Sequence, residues 1–173
     1  MKLVKRILLA LLVLIVAVLG IAWLDGSTLS YDHSASVTGT VNAPPATVFA
    51  KIADVAHGPE WRPQVQSVTV ASATPGHEVW TEDLGHGQQM SFLAVRNEPN
   101  IRRDVKLDDA GASYGGTWVY ELSPGPTPGT TTLKITENGY IKPAIYRFVM
   151  KHVIGMTYNL NIYLKNMQAA FPG

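Results

Sequence analysis

The sequence predicts an α+β fold in which one antiparallel sheet is covered by a helix. Three observations predict it: a strand-like run and a short helix come first, six strand-like runs follow with only turns between them, and a long amphipathic helix ends the chain. Short connections join antiparallel neighbours, and strands that are grouped in sequence do not alternate with helices as in a parallel sheet.

The first 25 residues are predicted to form a transmembrane anchor. Ile7 to Leu24 is an uncharged apolar run of 18 residues, about 27 Å of helix and close to the thickness of a bilayer core. Three cations within residues 1–6 precede the run, and Trp23 stands where interfacial aromatics occur. This charge asymmetry predicts a single-pass plasma-membrane protein with a cytoplasmic N-terminus and an extracytoplasmic domain. A cleaved signal peptide is the alternative, because Gly20-Ile21-Ala22 contains the small residues that a signal peptidase prefers.

The rest of the chain reads as a linker over residues 26–35 and one domain over residues 36–173. The linker is small and polar. Without the three anchor cations the chain has 11 basic and 13 acidic residues, so no nucleic-acid partner is expected. There is no cysteine, and an exported domain must then be stabilised by its core without disulfides.

Strand and helix patterns follow in order along the domain. The β-branched run from Val37 to Val41 predicts a first strand. Pro44-Pro45 opens a short helix that places Val48, Phe49 and Ile52 on one face and ends at Asp54. Period-two patterns separated by glycine and proline turns predict six further strands, within residues 65–72, 77–84, 88–99, 101–107, 116–124 and 130–139.

The last element is predicted to be one long helix over Ala144–Ala170, opened by Pro143. Its apolar residues recur at threes and fours: Tyr146, Val149, Met150, Val153, Thr157, Leu160, Leu164 and Met167. Gly155 lies in the middle of this stripe and marks either close packing or a bend.

No arrangement of side chains in the sequence predicts catalysis. The five histidines are scattered, and no two of them share a helical spacing suited to zinc. Glu82-Asp83 and Asp108-Asp109 stand near strand ends, and alternation places Glu121 on the face opposite Trp118. Nucleophile elbows and phosphate loops are absent from the sequence. No catalytic residue, metal or cofactor is therefore predicted.

Large apolar side chains are numerous for one sheet face and one helix. They are Trp61, Trp80, Met90, Phe92, Trp118, Tyr120, Tyr146 and Met150. Such residues either pack as a plain core or line a cavity between the sheet and the helix, and the pattern leaves both open.

The order of motifs resembles the START-like, or SRPBCC, superfamily, and more narrowly its polyketide cyclase/dehydrase and lipid-transport group. The resemblance is carried by "APPATVF", "IADVAHGPEWRPQVQSV", "GTTTLKITENGY" and the proline-opened last helix ending in "YLKNM". It covers residues 35–170.

This resemblance implies a helix-grip fold, in which a curved sheet of about seven strands surrounds the C-terminal helix and leaves an apolar cavity. The segment from Asp54 to Trp61 would lie at one end of the cavity, with Trp61 mostly buried as a lid. The implied cavity residues are Trp61, Phe92, Trp118, Tyr120, Tyr146, Met150, Val153 and Thr157.

Three functions remain open from the sequence. The first is a membrane-anchored module that binds a hydrophobic small molecule or lipid. The second is a cyclase/dehydratase-type enzyme for a polyketide-like substrate, with Tyr120, Tyr146 or His152 assisting proton transfer. The third is a protein-interaction domain whose cavity is filled by its own side chains and whose partner is unknown.

Overall fold

The computed structural model describes residues 2–107 and 111–173, which form four α-helices and seven strands. The helices are α1 (Lys2–Thr28), α2 (Pro45–Ala53), α3 (Ala144–Val149) and α4 (Tyr158–Ala169). The strands are β1 (Asp32–Val41), β2 (Ser67–Ser72), β3 (Val79–Asp83), β4 (Gln89–Glu98), β5 (Arg102–Leu107), β6 (Tyr114–Pro124) and β7 (Thr131–Ile141). A 3-10 turn spans Gly58–Glu60, and a π-helical turn, called the π turn below, spans Met150–Ile154.

All seven strands belong to one antiparallel sheet, which confirms the predicted fold class. Its strand order is β1-β7-β6-β5-β4-β3-β2, so the first strand closes against the last and every other pair is consecutive. Register shifts between Val70 and Ser72 and between Ala94 and Arg96 interrupt the ladders on β2 and β4. Such bulges bend the strand that carries them and increase its twist, which helps the sheet to curve around its helices.

The short helix after β1 forms as the sequence predicts. Pro44 is the N-cap, Pro45 occupies the first helical position, and Asp54 is the C-cap. Proline is favoured at the first position because its missing N–H would have no helical acceptor there. Val48, Phe49 and Ile52 are buried, so the apolar face of α2 packs into the core.

The predicted single C-terminal helix is wrong, because the chain breaks at Gly155. There φ is +95°, a left-handed backbone that glycine adopts at little cost and other residues avoid. The preceding π turn ends at this glycine, and α4 begins three residues later. Leu160, Leu164 and Met167 on α4 are buried in the core, whereas the stripe residues before Gly155 are not part of it.

The N-terminal helix is longer than the predicted anchor and joins the domain almost directly. It extends to Thr28, and β1 begins at Asp32, so the expected linker over residues 26–35 is reduced to residues 29–31. Within the described chain, α1 is the one helix long and apolar enough to cross a membrane, by length and composition; an N-terminal signal sequence meets the same criterion. Its main contacts with the domain are made to α3.

Candidate functional site: a cavity between the sheet and α4

A cavity of about 430 Å³ lies between the sheet, the end of α2 and the start of α4. Its apolar lining comes from both layers, because inward-facing strand residues meet the buried face of α4. The main apolar lining residues are Ile52, Val65, Trp80, Met90, Phe92, Val105, Trp118, Tyr120, Ile135, Leu160 and Ile162. Gln64, Gln88 and Asn159 are lining residues that are also exposed, and they mark the mouth.

The structure brings four of the eight predicted cavity residues together. Those four lining residues are Trp61, Phe92, Trp118 and Tyr120. The other four do not line the cavity: Tyr146, Met150, Val153 and Thr157. For the first three the reason is the break at Gly155, which directs the segment before it towards α1; Tyr146 is 57% and Val153 is 70% exposed. Thr157 lies beyond the break, as the N-cap of α4.

Trp61 lines the cavity, but it is only partly buried, whereas the sequence predicts that it is mostly buried. Its ring meets that of Tyr163 edge to face, with 5.1 Å between the centroids, and the Arg62 guanidinium lies 5.4 Å from its centroid. Its indole Nε1 is buried and, among the described residues, has no hydrogen-bond partner. This donor is available to a group that enters the cavity.

Besides the exposed residues at the mouth, four less exposed polar side chains in the lining were not predicted: Arg62, Glu82, Arg103 and Tyr163. Strand alternation carried a signal for two of them. Glu82 follows Trp80 by two residues on β3, and Arg103 precedes Val105 by two on β5, so each charge stands in the inward phase of its strand. Arg62 lies in a loop, where the sequence has no period that predicts which way a side chain points.

Arg62 and Glu82 form a buried bidentate ion pair. Arg62 Nη1 and Nη2 donate to Glu82 Oε2 and Oε1 at 3.0 and 2.7 Å, and Trp80 Nε1 donates to Oε1 at 3.0 Å. Planar two-point pairing of this kind fixes both side chains. The Glu82 carboxylate is thereby committed to three donors and is poorly placed to accept a proton from a ligand.

Tyr120 and Tyr163 stack obliquely beside this pair, with ring centroids 5.1 Å apart. Burial raises the pKa of Tyr120 to about 12 and raises the pKa of Tyr163 well above its usual value. Both phenols therefore keep their protons at neutral pH. They are suited to donate hydrogen bonds to a ligand and unsuited to act as general bases.

Arg103 is the most unusual lining residue, because it is fully buried and only partly paired. Its Nη1 donates to Asn97 Oδ1 at 3.0 Å and faces Glu78 Oε1 at 3.5 Å. Its Nε and Nη2 are buried without a partner among the described residues. A buried donor left unpaired costs about 1–3 kcal/mol, so these nitrogens have room for an acceptor that the described residues do not supply.

The remaining titratable groups lie apart from the cavity or at its edge. His152 pairs with Asp25, His57 pairs with Asp54, and neither His152 nor Tyr146 lines the cavity. Glu121 faces away from the core and pairs with Lys134. Asp108 and Asp109 lie outside the described residues. Within the part of the chain that the structure describes, no group of three or more His, Cys, Asp or Glu side chains is placed to hold a metal ion.

The fold and cavity together define a helix-grip protein of the START-like class. The chain belongs to the polyketide cyclase/dehydrase and lipid transport family, whose model matches residues 32–160. The match begins at β1 and ends in α4, so it excludes α1. A comparison with curated protein sequences finds no match.

Solved structures share the fold at low sequence identity. An aromatase/cyclase, ZhuI, from Streptomyces sp. R1128 is 15% identical with a TM-score of 0.66, covering 80% of this chain and 93% of that one. A START superfamily protein from Mycobacterium smegmatis is 17% identical with a TM-score of 0.61, covering 80% and 96%. Norcoclaurine synthase from Thalictrum flavum, solved with dopamine and hydroxybenzaldehyde, is 10% identical with a TM-score of 0.64, covering 85% and 90%. At these identities the likeness concerns the fold alone.

Proposed function

We propose that the protein is a membrane-anchored module that holds a hydrophobic small molecule or lipid in the cavity. The cavity carries this proposal. Its volume of about 430 Å³ falls within the range of small-molecule sites, about 300–1,000 Å³. Ordinary protein cores are packed to crystal density with few voids larger than a water molecule, so the volume argues against a core filled by side chains.

The polar lining specifies the ligand further. The unpaired Arg103 nitrogens and the Trp61 indole donor call for a hydrogen-bond acceptor, while the surrounding walls are aromatic and aliphatic. A ligand with an apolar body and one acceptor group, such as a carboxylate or a carbonyl, satisfies both. A charge-assisted hydrogen bond contributes about 1.5–3 kcal/mol, which is enough to orient such a ligand.

Helix α1 supports the membrane part of the proposal. Its apolar run gives the ligand-binding domain a position beside a lipid reservoir. The basic N-terminal flank supports a cytoplasmic N-terminus, with the domain, residues 36–173, on the other side of the plasma membrane.

A cyclase/dehydratase-type enzyme is the second candidate, and the family membership and the tyrosine pair favour it. Tyr120 and Tyr163 would polarise a carbonyl of a polyketide-like substrate by donating hydrogen bonds. A base is harder to assign: of the acids in the described lining, Glu82 is held by three donors and Asp54 is exposed and bonded to His57. Binding without turnover is therefore the better-supported function.

The test fills the cavity from within. Val105→Trp places a larger side chain in the lining, and Val95→Trp makes the same change at an exposed position of β4. The full chain in lipid nanodiscs is incubated with dodecanoate or dodecanol and examined by native mass spectrometry. Wild type and Val95→Trp should retain the probe, and Val105→Trp should lose it. Failure of the wild type to retain either probe, or retention by Val105→Trp, would contradict the proposal.

A further inference from the structure

The junction between α1 and α3 is built as a rigid contact. Arg147 Nε donates to the Gly26 carbonyl at 2.9 Å, its Nη1 donates to the carbonyls of Ile141 (3.0 Å) and Lys142, and its guanidinium lies 4.4 Å from the Tyr31 ring centroid. Arg147 is buried, with only 4% of its surface exposed. These bonds tie the last turn of α1 to the end of β7 and to α3.

Close backbone packing supports the same junction. A Cβ added at Gly26 would overlap the backbone of Ala144, so only glycine allows the two helices to meet at this distance. His152 Nε2 and Asp25 Oδ2 add a polar contact at 3.0 Å on the exposed edge. The anchor helix and α3 therefore have a defined mutual orientation, which a flexible tether would lack.

The junction also sets the depth of α3 relative to the apolar run. Ala22 and Gly26 are the buried residues of α1 and lie one helical turn apart on one face. Ala22 is within the run Ile7–Leu24, and Gly26 is just beyond it. Helix α3 thus packs at the level where the run ends, which in a membrane is the headgroup region.

An apolar surface is exposed on the elements that follow this contact. It is made of Tyr146 on α3, Val153 and Ile154 on the π turn, and Tyr158 at the start of α4, which are 57%, 70%, 44% and 52% exposed. Lys151 is exposed beside them. Tyrosine and lysine favour bilayer interfaces, because each combines an apolar stem with a polar end. We call the four residues Tyr146, Val153, Ile154 and Tyr158 the interfacial surface.

We propose that the interfacial surface rests on the bilayer that α1 spans, with the α1–α3 junction holding it there. This inference builds on the proposed membrane anchoring. A lipid surface is the favoured occupant over a protein, because the surface continues the exposed apolar side of α1 at the end of its span. Ile21, Trp23 and Leu24 are all more than half exposed at that level.

The placement relates the cavity to the membrane. Asn159, at the cavity mouth, directly follows Tyr158 of the interfacial surface, so the mouth opens beside the region in contact with lipid. A ligand could then exchange between the bilayer and the cavity over a short distance.

The test uses the absence of cysteine from the chain. Single cysteines at Val153, at Ile154 and, as the control, at Ile101 are labelled with a nitrobenzoxadiazole fluorophore in the full chain. Ile101 is 61% exposed, and its carbonyl accepts a hydrogen bond from Leu122 N near the end of β6. The opposite end of β6, at Tyr114, pairs with Ile141 just before α3, so Ile101 lies far from the interfacial surface. Each protein is reconstituted in phosphatidylcholine/phosphatidylglycerol vesicles with and without doxyl-labelled lipid.

Labels at Val153 and Ile154 should be quenched at least twofold by the doxyl lipid, and the label at Ile101 should be unchanged. Carbonate extraction of the same vesicles reports the anchoring separately. If the chain resists extraction but both labels behave like the control, the interfacial surface is wrong and the anchoring stands. If carbonate releases the chain, both the anchoring and this inference are overturned.

Discussion

Two buried arginines show how differently the two ends of this molecule use the same side chain. Arg147, at the junction of α1 and α3, donates three hydrogen bonds to backbone carbonyls and stacks on Tyr31. Arg103, in the cavity, donates through one nitrogen to side chains and leaves Nε and Nη2 without a partner in the described chain. Both residues are less than 5% exposed.

The difference separates a structural role from the proposed binding role. Burying a guanidinium is costly unless its donors are satisfied. At Arg147 the fold itself supplies the acceptors, so the residue stabilises the folded chain. At Arg103 the described residues leave Nε and Nη2 without acceptors, and under the proposed function a ligand with an acceptor group would complete the site.

The largest effect is expected when Arg147 is replaced by methionine. The change leaves three carbonyls without their donor and should lower the free energy of unfolding by about 3 kcal/mol. Urea unfolding of the full chain in nanodiscs, followed by near-ultraviolet circular dichroism, measures it. Arg96→Met is the control, because Arg96 and Glu98 form an exposed pair whose loss should cost within about 0.5 kcal/mol. Equal losses in the two variants would remove the structural role of Arg147.

Replacing Arg103 by methionine should affect the ligand more than the fold. Dodecanoate affinity is expected to fall about 10- to 100-fold, because one charge-assisted hydrogen bond contributes about 1.5–3 kcal/mol. Dodecanol, which lacks the charge, should lose much less. Arg102→Met is the matched control: Arg102 is the preceding residue on β5, and its guanidinium pairs with Asp104. A parallel loss of both probes would show that Arg103 only shapes the cavity.

A smaller effect is expected for Tyr163→Phe. The substitution removes the Tyr163 hydroxyl beside Tyr120 and leaves both rings in place. A loss of about 1 kcal/mol in unfolding free energy is expected at neutral pH. Tyr158→Phe is the comparison, because Tyr158 is half exposed and should change stability by less than about 0.5 kcal/mol. A loss of unfolding free energy no larger than that of Tyr158→Phe would mean that the Tyr163 hydroxyl contributes nothing to stability.

The smallest effect appears only in alkaline solution. Burial raises the pKa of Tyr120 to about 12, above the value of about 10 in the unfolded chain. The folded state therefore binds this proton more tightly, and the resulting stability is fully present below pH 10 and lost as the pH rises towards 12. Absorbance at 295 nm should show late-ionising tyrosines in the wild type, with one fewer in Tyr120→Phe. Simultaneous ionisation of all seven tyrosines near pH 10 would contradict this.

The sheet and the first helix of the domain were predictable because their signals are local. Alternation of apolar residues indicates a strand wherever one face is buried, and Pro44-Pro45 indicates a helix start regardless of what the helix later packs against. Local patterns left Trp61, Phe92, Trp118 and Tyr120 as either core or cavity residues, and only the resemblance to the family implied the cavity that all four line.

The C-terminal region shows where local patterns fail. The apolar spacing of three and four continues from Tyr146 to Met167, which is typical of one helix. The π turn and Gly155 divide it, so that α3 packs against α1 and α4 packs into the core of the sheet. Sequence period does not reveal which surface an apolar face meets. The four misplaced cavity predictions all come from the segment before α4.

By itself, the sequence determined the strands, helix α2, the antiparallel pairing of consecutive strands and an apolar N-terminal helix, because each depends on residues that are close in the chain. Only the tertiary structure decided that Arg103, Glu82 and Tyr163 converge on one cavity and that Arg147 joins α1 to α3. Those contacts link residues far apart in the chain, such as Gly26 and Arg147, 121 positions apart. Their existence depends on how the sheet curves and where the last helix breaks.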